Sequence, residues 1–307
     1  MKLDQLQHLV AIAEHGSLRA AARRLDVPQP ALTRSVRALE RELGVNLFVR
    51  QATGMTLTAE GARFHRRASA ILAEARRARE EVQQPGTAYE GEVSVALSIM
   101  PHLGMLPDAL PVFRRTYPKV KLQLIESLMP GVEKALRDGS VDFYLGAAPR
   151  MRPAPGLAVQ TLCTNTRVVV CRKGHPLARS RSLADLAQAA WAATTIDHNT
   201  EEDLGRLMAD YGLPAPNILL RAHSGLSVMV ALAQTDLLAM LPRQWLDCAQ
   251  TRDQLATIAV QEALPAPDIV LVRRPDLPLS PPAEFLCDVL LRSLPATGPG
   301  SAPGTIG

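Results

Sequence analysis

Two groups of residues have the types and spacing to do chemistry, and both point to binding. The first lies between Ser17 and Thr53. In QPALTRSVRALEREL the apolar residues Leu32, Val36, Leu39 and Leu43 are spaced four, three and four, which makes one buried stripe on a helix. Gln29, Pro30, Thr33, Arg34 and Arg37 fall off that stripe and face outward. Amide, hydroxyl and guanidinium donors in such a row can hydrogen-bond base edges in a DNA major groove. Ser17 and Arg19 open the preceding helix, and Arg50 and Thr53 sit near a turn that follows, where they could reach phosphate or the minor groove. The alternative is a solvated basic face, with Arg50 paired to Glu42.

The second group is a set of hydroxyls placed where strands end and helices begin. Ser98 and Ser127 follow two strands of one predicted α/β unit; Thr195, Thr200 and Ser224 flank strands of a second, with His198 beside them. In open α/β sheets ligands bind outside the carboxyl ends of the strands. Hydroxyls converging there, with Met100 and Leu128 as apolar walls, suit a small carboxylate or sulfonate. Taken singly, each Ser or Thr could equally be an ordinary helix cap.

Other chemistry finds little support. There is no G-x-S-x-G elbow, no P-loop and no G-x-G-x-x-G after a strand, so an enzyme with a catalytic α/β domain is the weaker alternative. Cysteines 163, 171, 248 and 287 form no C-x-x-C pair and no zinc-ligand spacing. They are expected to be reduced thiols, and no metal or cofactor is expected. No apolar run is long enough for a bilayer, and Met1 leads into charged, amphipathic sequence, so a cytoplasmic protein is expected rather than an exported solute-binding one. Residues 1–68 hold eleven Lys and Arg against six Asp and Glu, whereas the rest holds twenty-three against twenty-four. The positive balance therefore sits with the first group, as an electrostatic footprint on phosphate requires.

These groups must be positioned by three kinds of element. Leu18–Leu25 and a helix from Gln29, broken at Asp26-Val27-Pro28, form a helix-turn-helix on a first helix carrying Leu3, Leu6, Leu9, Val10 and Ala13. Val45–Arg50 and Met55–Thr58 read as a β-hairpin wing. A long helix follows from Thr58 to about Gln84. Its seam Gly61, Phe64, Ala68, Ile71, Ala75, Ala78 and Val82 alternates steps of three and four, a heptad repeat that suits pairing with a second subunit. The competing reading docks that helix on its own domain. Beyond Pro85-Gly86, strands at Glu92–Leu97, Val120–Glu126 and Val141–Gly146 alternate with helices and imply a parallel sheet. A second unit has strands at Arg167–Arg172, Trp191–Thr195, Asn217–Ala222 and Leu237–Pro242. Ile269–Arg273 then returns to the first unit, before a final helix from Pro282 to Leu294. The expected fold is therefore α+β and multidomain: a winged helix-turn-helix over 1–58, a linker helix over 59–86 and a two-lobed α/β domain over 87–294. Lobe I takes about 87–162 and 268–294, and lobe II about 163–267. A Pro/Gly/Ser-rich tail, 295–307, is expected to be disordered.

The order and wording of these segments carry a resemblance. MKLDQLQHLVAIAEHGSLRAAARRL, QPALTRSVRALERELGVNLFVR and LTAEG, in this succession, resemble the amino-terminal signature of LysR-type transcriptional regulators. YLGAAP, CRKGHPLA, SLADLAQAAW and TDLLAMLPRQW follow in the family's order, and the two-lobed domain resembles its periplasmic-binding-protein-like effector domain. The resemblance implies a bacterial DNA-binding regulator, not an enzyme. It further implies a homodimer through the linker helix, a homotetramer, promoter DNA as partner and a small-molecule effector between the lobes. Within the family the likeness is to members answering aromatic sulfonates or carboxylates. One departure stands out: the family usually has Ser where this chain has Pro28, so the cap of the second helix must come from Asp26 or from water.

Overall fold

The computed structural model describes residues 1–51, 54–83, 89–153, 155–194, 200–247, 251–264 and 266–294, with the side chains of 77, 80–83 and 247 left aside. Two compact units are present: Met1–Gly91 with Lys134–Val141, and the remainder.

In the first unit, α1 (Leu3–His15), α2 (Leu18–Leu25) and α3 (Gln29–Leu43) precede the hairpin of β1 (Phe48–Gln51) and β2 (Gly54–Leu57), and α4 (Ala59–Gln83) follows. Leu6, Leu9, Ile12, Leu32, Val36 and Leu39 are buried together, so the stripe on α3 faces the core as far as Leu39, whereas Leu43, the last residue of the helix, is exposed and leaves the stripe. The turn between α2 and α3 is made by Asp26, left-handed at φ 53°, whose N–H returns to Ala22 O. Asp26 thus closes α2 and does not cap α3. The N-cap of α3 is Pro28, and no side chain accepts from the first turn. Val45–Leu47 is not part of the strand, as the β-rich run suggested. The Glu40 carboxylate accepts the N–H groups of Leu47 (2.8 Å) and Phe48 (3.3 Å), so a side chain on α3 takes the place of a strand partner.

Two glycines fix the wing and the long helix. A Cβ on Gly54 would lie 2.3 Å from Gly16 O, and one on Gly61 only 1.9 Å from Leu47 O. Each marks backbone packed on backbone, which no other residue permits. The start of α4 is held by Thr58, whose hydroxyl accepts from Gly61 N–H at 2.9 Å and donates to Asn46 O at 2.8 Å. The heptad seam of α4 divides. Gly61 and Ala68 are buried, and Phe64 packs on the helix-turn-helix core, so this half docks on its own domain. Ile71 is 42% exposed and Ala78 is exposed. The side chain of Val82 lies outside the described residues.

The second unit has two lobes. In lobe I, β3 (Glu92–Leu97) leads through α5 (Ile99–Gly104) and α6 (Leu106–Thr116) to β4 (Lys121–Glu126), then α7 (Met129–Asp138), whose residues from Lys134 on group with the first unit, and β5 (Phe143–Ala147). Val95 and Leu97 of β3 and Phe143 and Leu145 of β5 are fully buried, as central strands covered on both faces should be. The helix after β3 is two helices: Pro107 has no N–H with which to continue the α5 ladder, and it sits instead in the first turn of α6, where none is needed. β6 (Ala158–Cys163) opens the passage to lobe II, where β7 (Arg167–Arg172), β8 (Ala190–Thr194), α8 (Thr200–Asp210), β9 (Asn217–Ala222), α9 (Gly225–Gln234), β10 (Ala239–Pro242), α10 (Gln244–Asp247) and β11 (Leu255–Ile258) follow. β12 (Ile269–Arg273) returns to lobe I and α11 (Pro281–Arg292) ends the domain.

The lobe I sheet runs β4-β3-β5-β12-β6. β3 pairs in parallel with β4 and β5, but β12 is antiparallel to β5 and β6, so the sheet is mixed rather than parallel throughout. β6 was not expected, because it is an exposed edge strand without apolar alternation. In lobe II, β10-β7-β11 is antiparallel and β8-β9 parallel, joined by a bridge between Trp191 and Leu238. Among the described residues no helix is long and apolar enough to cross a membrane.

Candidate functional site

Ser98 sits directly after β3, 3% exposed. Its N–H donates to Leu145 O at 3.0 Å and its hydroxyl accepts from Ala147 N–H at 3.3 Å, so both bonds cross to β5. The hydroxyl does not cap α5, which is only six residues long. Gly146 makes this possible: a Cβ there would lie 2.6 Å from Ser98 Oγ and 2.5 Å from the Tyr144 hydroxyl.

Ser98 lines a cavity of about 90 Å³ between the lobes. Ser127, Asn165, Arg167, Thr194 and Thr200 supply its other uncharged or basic polar groups, and Glu126 an acidic one. Ile99, Met100, Leu128, Leu241, Trp245 and Ile269 make much of the apolar wall. The arrangement is an apolar pocket with a few convergent polar groups, the general character of a small-molecule site.

Of the hydroxyls read from sequence, Ser98, Ser127 and Thr200 reach this wall, with Met100. Their availability differs. Ser127 Oγ donates to Leu128 O at 3.1 Å. Thr200 Oγ1 accepts from Thr194 N–H at 2.9 Å and donates to Thr194 O at 2.7 Å, so it ties the start of α8 to the end of β8. Ser224 is exposed and outside the wall, where its neighbour Gly225 takes part instead. Thr195 and His198 lie outside the described residues; β8 ends at Thr194.

Arg167 was not singled out from the sequence, although a charge opening the apolar strand RVVVCR was a signal. Its side chain is 6% exposed, and it donates to Asp203 Oδ2 at 3.0 Å. Asp203 also receives Arg206 at 3.1 Å and pairs with Arg150, which donates to Glu202 at 3.2 Å. Arg150 follows β5 in lobe I and α8 belongs to lobe II, so this ion-pair cluster spans the cleft.

The three described thiols are shifted toward their protonated form. Cys163 and Cys171, on two successive strands, are pushed above the usual thiol range by burial, with Asp268 adding to the effect at Cys163. Burial, helped by Asp288, pushes Cys287 up to about 11. Cys248 lies outside the described residues. Among the described residues no His, Cys, Asp and Glu cluster could hold a metal ion.

In the first unit, Ser17 Oγ accepts from Ala20 N–H at 3.1 Å and caps α2. Ser17, Arg19, Gln29 and Arg50 surround one surface concavity, where the starts of α2 and α3 meet the wing. Arg34 and Arg37 are exposed farther along α3 and line a second one with Arg41. Pro30 is exposed in the first turn of α3, and Thr33, half-buried, donates to Gln29 O at 3.0 Å. Thr53 lies outside the described residues. Glu42 pairs with the amino terminus at 2.6 Å, and Arg50 has no ion-pair partner among the described residues.

Comparison with known proteins agrees with this layout. Residues 3–62 match the family described as bacterial regulatory helix-turn-helix protein, lysR family, and residues 86–295 match the LysR substrate binding domain. The SDS degradation transcriptional activation protein of a Pseudomonas species is 31% identical over 98% of this chain and 99% of its own length. The HTH-type transcriptional regulator TdcA of Escherichia coli is 26% identical over 86% of this chain and 85% of its own. Among solved structures, the LysR family regulator CbnR is similar in fold, with a TM-score of 0.66 at 22% identity over 95% of this chain and 99% of that one. An OxyR variant from Pseudomonas aeruginosa reaches a TM-score of 0.69 at 21% identity over 95% and 94%. These relatives are regulators, which removes the enzyme reading. Matched along both of its units, the chain belongs to the LysR family of bacterial DNA-binding transcriptional regulators.

Proposed function

We propose that this regulator changes its promoter contacts when a small amphipathic organic anion binds between the lobes of residues 87–294. The observation that carries the reading is the cavity itself: Ser98 and Arg167 set among Ile99, Met100, Leu128 and Trp245. A hydroxyl and a guanidinium suit an anionic head, and the walls suit a hydrocarbon or aromatic body. The similar Pseudomonas protein is named for degradation of SDS, an amphipathic sulfate, and this supports including alkyl sulfates with aromatic sulfonates and carboxylates as candidates.

DNA is read by α3 and the wing, with Gln29, Pro30, Thr33, Arg34 and Arg37 toward the bases and Ser17, Arg19, Arg50 and Thr53 toward the backbone. The exposed half of α4 joins two chains. A second interface, on the exposed Leu219, Leu226 and Val230 of lobe II, builds the tetramer. The protein acts in the cytoplasm, where promoter DNA is found.

The test is a thermal-shift screen of the full chain with benzenesulfonate, benzoate and octyl sulfate. A dose-dependent rise in Tm, abolished by Ser98→Leu, supports the reading. No rise with any of the three, or a rise that Ser98→Leu leaves intact, overturns it.

A further inference from the structure

A buried residue of the cavity wall has a donor that finds no partner among the described residues. Trp245, in α10, is 1% exposed and lines the cavity. Its backbone is committed, since Trp245 O accepts from the Thr251 hydroxyl. Its indole N–H has no acceptor among the described residues. An indole N–H can only donate, and a buried one ordinarily finds a partner, because leaving it bare forfeits its hydration with nothing in return.

The ring is held firmly. A Cβ on Gly225 would meet Ile99 Cδ1 at 3.0 Å, Trp245 Cη2 at 3.4 Å and Glu126 Oε1 at 3.5 Å. Ile99 and Glu126 come from lobe I, Gly225 and Trp245 from lobe II, so the lobes meet around this ring. The ring therefore sits where both lobes converge on the cavity wall, and its N–H is a buried donor without an acceptor among the described residues.

We infer that the Trp245 indole N–H donates to the effector, which must therefore present an acceptor oxygen of a carboxylate, sulfonate or sulfate to lobe II. This rests on the organic-anion reading above and sharpens it. Ser98 meets the ligand from lobe I and Trp245 from lobe II, so a single ligand bonded to both ties the lobes together. Recognition then depends on the acceptor as well as on the apolar body.

The experiment is calorimetric titration of benzenesulfonate, benzoate and octyl sulfate into the full-length protein and its Trp245→Phe variant. Phe keeps an aromatic ring and removes the N–H. The expected result is affinity lowered by about 10- to 100-fold for the probe that binds, with a ligand-free Tm unchanged or higher because an unpaired donor is gone. Equal affinity in both proteins overturns the inference alone. Binding of none of the probes to the wild type overturns the organic-anion reading and this inference with it. Should Trp245→Phe not fold, the wild type still decides the matter. Its two tryptophans, 191 and 245, give two indole N–H resonances, which Trp191→Phe assigns. The binding probe should move the Trp245 resonance downfield; an unmoved resonance overturns the inference.

Discussion

Ser98 bonds across the sheet to Ala147 and not along its own helix, which changes what its removal should do. Ser98→Ala leaves the Ala147 N–H without an acceptor, at a cost of about 1 kcal/mol, or roughly 2–4 °C in a domain of this size. If the same hydroxyl also donates to an anionic effector, affinity should fall about 10- to 100-fold as well. Thermal melts with and without effector separate the two: a cap or strut alone lowers both curves equally. Gly146→Ala should be harsher, because its Cβ would displace Ser98 and Tyr144 together; melting and effector response should both suffer. Pro28 allows an opposite test. Pro28→Ser would give the first turn of α3 a side-chain acceptor, worth about 1 kcal/mol. Losing the stiffness of proline in the unfolded chain costs about 0.4–1 kcal/mol. The expected outcome is a melting temperature unchanged or a few degrees higher, measured on the DNA-reading unit; a clear fall would mean that the rigidity of Pro28 outweighs the cap.

At the scale of elements, α4 carries the strongest test. Its seam has one continuous spacing in the sequence, but only the first half is used within the chain. Ile71→Asp places a charge at the start of the exposed half, so it should weaken subunit pairing and leave the helix-turn-helix folded. Light scattering should report monomer, and operator binding should weaken because two half-sites are then read independently. An unchanged dimer would place subunit pairing elsewhere. Elements of this kind were legible because their signals are periodic: the stripe of α3, the seam of α4, and the apolar runs of β3, β5, β7 and β12. What escaped lacked a period. β6 is an exposed edge, and β11 is four residues beside a polar turn. The end of β1 is held by Glu40, a contact between residues seven and eight apart that no local pattern announces. The cavity was half legible for a similar reason. Strand ends pointed to Ser98 and Ser127, whereas Arg167, Asn165 and Trp245 reach the same space through tertiary packing. Thr200 was found by position, but its hydroxyl closes on Thr194.

For the DNA-reading unit taken whole, two histidines set the acid limit. His8 and His65 are both held below the usual imidazole range, first by burial. At His8, Asp4 works against the shift while Ser35 Oγ lies 2.7 Å from Nδ1. At His65, Lys134 and Arg66 add to it, and Asp138 and Glu14 oppose it. The folded unit therefore resists protons that the unfolded chain accepts near pH 6.5. Its stability should be full above that pH and decline as pH falls through it toward the folded values. Melting of the full chain between pH 7.5 and 5.5, followed by DNA-reading-unit fluorescence labels, should show this decline, and His8→Gln should flatten it. A melting temperature independent of pH across that window would remove both groups from the account.

The divided seam of α4 also makes the helix an angular gauge. One half is fixed to the reading head through Gly61 and Ala68; in a dimer joined through the other half, the residues between them set the direction in which each head points. An α-helix turns about 100° per residue, so seven inserted residues after Ile71 would move the head about 10 Å along the axis and rotate it by only about 20°. Four inserted residues would swing it about 40° the other way. A seven-residue insertion should therefore be rescued by an operator with its half-sites moved apart, and a four-residue insertion should not be. Selection from a pool of operators differing only in spacing would read that phase directly. The gap between half-sites on the promoter would then be a length and an angle already written in the middle of one helix.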